Sequence, residues 1–159
     1  MTLNSNPGDE TEFVAIGLRL AEAMNIAIES WLSHQLAVRL EASGRANDDT
    51  YQRAAQLAAE TAVAVAAQIQ QLAATPIDLQ ATTPLSIVRS ALQPATALLS
   101  DSQVPPAVRD SDDVARFPDD TFGLTPASFA DIDLELASVA VEWGAAKAWL
   151  HKQRHGAQP

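Results

Sequence analysis

YQRAAQLAAETAVAVAAQIQQLAA occupies residues 51–74, and its reading decides the fold. It has no Pro or Gly, and its small apolar positions recur at helical steps: Ala54, Ala55, Ala58, Ala62, Val65, Ala66, Ile69 and Leu72. Alanine has the highest helix propensity, and an alanine face lets a neighbouring helix approach closely. The stretch therefore predicts a helix that starts at Asn47, Asp48 or Asp49, runs to about Ala74 and packs tightly on a partner.

That partner lies just upstream. From Phe13 to about Leu40 there is no Pro and the only Gly is Gly17. Phe13, Leu20, Met24, Ala27, Trp31 and Val38 recur at steps of three, four or seven, beside a second row of Leu18, Ala21, Ile28 and Leu32. This is a broad helical apolar face. It predicts a helix about 42 Å long that stops near Ser43-Gly44, where Gly takes the left-handed cap conformation. The two helices should form an antiparallel hairpin.

Downstream, Thr-Pro pairs punctuate the chain at Thr75-Pro76, Thr83-Pro84 and Thr125-Pro126. Thr caps a helix through its hydroxyl, and Pro suits the first helical position. We expect a short turn at 76–80, with Thr75 and Asp78 as a capping-box variant. A third helix should run from Pro84 to about Ser100, kinked or interrupted at Pro94. A hydrophobic staple is expected between Leu124 and Phe129. The last helix should span about Asp133 to Gln153, with Leu136, Val139, Ala140, Trp143, Ala146 and Leu150 inside. Its acids lie at the start and its bases at the end, as the helix dipole favours. Trp143 and Trp149 are six residues apart and point to different sides. No strand pattern and no internal repeat is present.

These elements predict an all-α bundle of about four main helices. It would form a single domain over residues 1–159, with a loose lead-in at 1–10 and a loose end at 155–159. Between the third and last helices lies an irregular acidic, Pro-rich segment, 101–132, carrying a short helical turn. The chain has a net charge of -10. Residues 101–135 hold nine acids against two bases, whereas residues 136–159 hold one acid against three bases. Val104, Val108, Val114, Phe117, Phe122, Leu124 and Phe129 punctuate the acidic stretch, so it reads as a packed loop rather than a disordered tail.

Composition excludes several functions. The 159 residues contain no cysteine, so no disulfide, thiolate metal site or catalytic thiol is available. An acidic chain is poorly suited to neutralising phosphates, so no nucleic-acid partner is expected. The N-terminus has no basic-then-apolar pattern, so no signal peptide is expected. The longest small-apolar run, Ala62 to Ala67, is far short of the roughly 20 residues of a membrane span, so no membrane partner is expected. A cytoplasmic location follows as the default. Alanine fills 31 positions, and eight of the ten bases are Arg, as in GC-rich genomes.

Chemical motifs are sparse. No Glu-x-x-His, Gly-x-Ser-x-Gly, dinucleotide or phosphate-loop sequence occurs, and no catalytic residue or cofactor is assigned. Asp131, Asp133, Glu135 and Glu142 have the spacing of a calcium loop, but Leu136 stands where its glycine belongs, which favours an acidic helix start. Asp110, Asp112, Asp113, Asp119 and Asp120 are either turn-capping groups or ligands of a hard cation. His34, His151 and His155 offer a three-histidine metal set, similar in ligand count to DinB-like helical bundles.

Thr83-Pro84-Leu85, Val104-Pro105-Pro106, Val108-Arg109-Asp110, Phe117-Pro118-Asp119-Asp120, the run Leu124 to Asp131 and Trp143 to Ala148 together resemble a family of small helical proteins from GC-rich bacteria. The resemblance spans residues 83–154 and brings no activity, ligand or catalytic residue. It implies that 101–150 is one ordered unit.

Two functional expectations follow. The first is a non-enzymatic interaction or accessory protein, self-associating as a homodimer and showing its acidic segment to a basic protein partner. Its contact residues would be Arg109, Asp112, Asp113, Phe117, Asp119 and Asp120, with Trp143 and Lys147 behind them. The second is a metal- or ligand-binding bundle with enzymatic activity, whose pocket between the first and last helices is lined by Trp31, His34, Glu142 and Trp143.

Overall fold

The computed structural model describes residues 10–105, 111–116, 122–124 and 128–155. Among them every regular element is helical. Two long helices lead, α1 (Glu10–Ala42) and α2 (Asp48–Ala74). A 3-10 turn (Ile77–Leu79), α3 (Pro84–Ala91) and α4 (Gln93–Asp101) follow. Two short helices, α5 (Ser111–Arg116) and α6 (Ser128–Ile132), precede the long α7 (Leu134–His155). None of the described helices is long and apolar enough to cross a membrane.

The α1–α2 connection is built by local rules. Gly44 has φ +67°. The Gly44 amide donates to Glu41 O at 3.1 Å and the Arg45 amide to Leu40 O at 2.9 Å, which closes α1 in a Schellman motif. Asn47 then opens α2 with a reciprocal capping box. Its Oδ1 accepts from the Thr50 amide and its own amide donates to Thr50 Oγ1, both at 2.9 Å. The turn reverses the chain within five residues, so the helices pack antiparallel. At their far end they nearly touch, because a Cβ built on Gly17 would lie 2.6 Å from Ala73 Cβ.

The α1 core row is Phe13, Ile16, Leu20, Met24, Ile28, Leu32, Leu36 and Leu40, all buried. Three expected members fare differently. Met24 is buried, Trp31 is half-buried and Val38 is 45% exposed. A strict seven-residue step drifts by about 20° per repeat on a straight helix, and that drift carries the row out to solvent. Leu18 is also exposed, at 49%. On α2, Ala55 is exposed while Ala54 and Ala58 are buried, so the alanine stripe is narrower than its sequence suggests.

The Thr-Pro signals divide. Thr83 caps α3, with its Oγ1 accepting from the Ser86 amide at 3.2 Å and Pro84 in the first turn. Thr75 instead ends α2, and its hydroxyl donates back to Gln71 O at 2.7 Å. The expected Thr75–Asp78 box is absent, because Thr75 belongs to the helix before it. Gln80 takes over that end, donating to Leu72 O at 3.0 Å. Pro94 splits the third helical run into α3 and α4 at Leu92. Asp133 caps α7, accepting from the Leu136 amide at 3.0 Å.

One hydrophobic cluster joins α1, α2, the 3-10 turn, α3, α4, Leu124, α6 and α7. Leu136, Val139, Trp143, Ala146 and Leu150 are buried on α7, as the periodicity predicts, and Ala140 packs at the edge.

Candidate functional site: the anchored acidic segment

α7 is pinned to the start of α1. The Phe13 and Trp143 rings stack with centroids 5.2 Å apart. Arg154 pairs with Glu10 and, at 3.1 Å, with Asp78, while Arg19 meets Glu142 at 2.7 Å. The acidic segment is fastened much further along α1. Phe122 packs on Trp31 at 5.8 Å between centroids, tilted by 57°. The Arg39 guanidinium lies 4.4 Å from the centre of the same ring. Phe122 is thus held between a hydrophobic ring and a cation, contacts each worth about 0.5–1 kcal/mol beyond area burial.

Beside this clamp, the Arg89 guanidinium donates to Leu124 O. Leu124 and Phe129 are both buried in the common core, while the Thr125-Pro126 cap of the expected staple lies outside the described residues. Val104 packs against the same core at the other end of the segment. The acidic stretch is therefore tied to the bundle on both sides of α5. In α5 itself, Ser111, Asp112, Ala115 and Arg116 are exposed.

Arg109, Phe117, Asp119 and Asp120 lie outside the described residues, as does the side chain of Asp113. Trp143 is only 5% exposed and has almost no surface to offer a partner. Lys147 lies over its ring, 5.1 Å from the centroid, and burial lowers the ammonium pKa below the usual lysine value. Trp143 stacks at Phe13, whereas Phe122 sits at Trp31, about 27 Å further along α1.

The same geometry corrects the metal reading. His151 lies on the end of α7 that is tied to Glu10 and Phe13, and His34 is more than 20 residues along α1, roughly 30 Å away. His34 is exposed and lines a shallow depression with Glu29, Ser30, Ser33 and Ala55. The side chain of His155 is outside the described residues. The pocket expected from Trp31, His34, Glu142 and Trp143 does not form, because Trp143 stacks on Phe13 at the start of α1 while Trp31 lies 18 residues further along it, against Phe122. The calcium-loop spacing does not gather either, since Asp133 caps α7 and Glu142 pairs with Arg19. Among the described residues no group of three or more His, Asp or Glu is placed to hold a metal ion.

Sequence reading missed the clamp of Trp31, Arg39 and Phe122, the Arg89 contact and the Gln80 cap. Each joins residues that are far apart in the chain or at an element end, where periodicity carries no signal. No family model, curated protein or solved structure matches the chain.

Proposed function

We propose that this is a non-enzymatic interaction or accessory protein that presents its anchored acidic segment to a basic protein partner. The observation that carries the reading is the clamp at Phe122. A segment with seven acids against two bases repels itself and would spread if left loose. Here it is tied back by two arginines, Arg39 and Arg89, and by four aromatic or aliphatic anchors, Val104, Phe122, Leu124 and Phe129. Fixing a charged loop lowers the ordering cost of binding and holds its field in one direction. The same negative field disfavours nucleic acid and favours a cationic protein surface. Self-association as a homodimer and a cytoplasmic location belong to the same reading.

The test is quantitative capture. Wild type and the Asp112, Asp113, Asp119, Asp120→Asn variant are immobilised and challenged with native lysate at low and high salt. The reading expects bound proteins of high pI that are released by salt and lost in the variant. Identical capture by both proteins refutes the role of the acidic segment.

A further inference from the structure

The outward side of α7 is out of character for a solvent-facing helix. Leu134 is 78% exposed, Val141 73% and Trp149 42%. Between them lie Ser138, Gly144, Ala145 and Ala148, all exposed. Leu134, Ser138, Val141, Ala145, Ala148 and Lys152 follow steps of four, three, four, three and four, the seam spacing of paired helices. This face therefore carries no charge from Leu134 to Trp149, although exposed helix faces are normally polar. The charged residues stand on its flanks or at its end.

Gly144 adds a second observation. A glycine inside a helix lowers stability, and at Gly17 the reason is plain, because Ala73 leaves no room for a Cβ. At Gly144 an added Cβ would meet nothing within 4 Å. Nothing within the described chain requires glycine there, whereas a closely approaching second helix would.

Charge identifies the occupant. α7 carries three Lys or Arg against two Glu, while α1 has five acids against two bases and α2 three against one. With Arg154 taken up by Glu10 and Asp78, α7 is near neutral and still the least acidic of the long helices, the one on which two copies of this acidic chain meet with least repulsion. Its charge is also ordered, with Asp133 and Glu135 at one end of the seam and Lys152 at the other. Among the described residues neither Glu135 nor Lys152 has an ion-pair partner. A parallel pair would set Glu135 against Glu135 and Lys152 against Lys152. An antiparallel pair centred near residue 143 sets Leu134 beside Lys152 of the partner subunit, Ser138 beside Ala148 and Val141 beside Ala145. Lys152 then meets the acids around Glu135 at both ends, by symmetry. Glu142, close to the two-fold axis, is already paired with Arg19.

We infer that the outer face of α7 is the homodimer interface, with the two α7 helices packed antiparallel about a two-fold axis between Val141 and Ala145. This rests on the self-association part of the proposed function and is independent of the acidic segment.

Light scattering on the full chain tests it, with wild type, Val141→Glu, Glu135→Lys, Lys152→Glu and the Glu135→Lys/Lys152→Glu double variant. Wild type is expected to be a dimer. Val141→Glu should be monomeric with an unchanged circular dichroism spectrum, because the position is exposed in the monomer. Each single charge reversal should weaken the dimer by about tenfold, since two pairs are lost by symmetry, and the double variant should recover it. A wild type that is monomeric at every concentration overturns self-association and the inference together. A dimer that survives Val141→Glu overturns the assigned face and leaves self-association standing. A double variant no stronger than the singles overturns the antiparallel arrangement.

Discussion

α2 and α7 are both alanine-rich helices laid on α1, yet they divide their faces in opposite ways. α2 buries a row rich in small residues, Ala54, Ala58, Ala62, Ala66 and Ala73 beside Val65, Ile69 and Leu72, and shows solvent a side that mixes Gln52, Gln56, Gln68, Gln70 and Gln71 with further alanines. α7 buries mostly large residues, Leu136, Val139, Trp143 and Leu150 with Ala146 among them, and leaves Ser138, Gly144, Ala145 and Ala148 outside with Leu134 and Val141. Small residues inside serve close approach to α1. Small residues outside serve nothing within one copy of the chain. Alanine content alone therefore says little, and what matters is which side of the helix the alanines occupy.

Substitutions sharpen this contrast, beginning on the buried side of α7. Trp143→Ala removes the stack on Phe13 and opens a cavity against Gly17, and should lower unfolding free energy by about 3–5 kcal/mol in urea titration. Loss below about 1 kcal/mol would mean that α7 is not packed as described. The two helix-interior glycines come next. Gly17→Ala forces a methyl onto Ala73 and should cost about 1–3 kcal/mol. Gly144→Ala meets open space, so in the monomeric Val141→Glu background it should be neutral or stabilise by up to about 1 kcal/mol. Equal effects at both sites would erase the distinction between them.

The start of α2 tests whether local rules set the hairpin. Asn47→Ala breaks the capping box and should cost about 1 kcal/mol, seen as a lower thermal midpoint. The smallest effect is spectroscopic. Tyr51, the single tyrosine, donates its hydroxyl to Glu41 at 2.6 Å, and this bond raises its pKa above 10.0. Folded protein should keep the phenol proton where the unfolded chain has lost it, so this contribution to stability fades as pH rises past 10.0. Phenolate absorbance should show a high titration in wild type that falls toward the ordinary value in Glu41→Gln. An unchanged titration would contradict the contact.

Much of the bundle was legible in the sequence because its signals are local. The hairpin follows from Gly44, Asn47 and the 3.6-residue rows around them, and the break at Pro94 follows from the ring itself. The inner face of α7 was readable residue by residue. What periodicity missed has physical causes. The heptad through Met24, Trp31 and Val38 drifted out of the core, and Thr75 turned back to close the helix before it. The candidate site was less legible. Acidity marked the segment, but nothing near Phe122 in sequence announces Trp31 or Arg39, which reach it only through the tertiary fold. The histidines misled for the same reason, since spacing along the chain says nothing of the distance between the two ends of α1.

The most direct measurement uses the absence of cysteine. Val141→Cys and Ala145→Cys proteins are oxidised separately and as an equal mixture, and disulfide-linked dimers are followed with time. Antiparallel pairing of α7 predicts that the mixed dimer of residues 141 and 145 forms fastest. Cross-linking that is fastest for Val141→Cys alone, or no faster than random collision in all three samples, would contradict it.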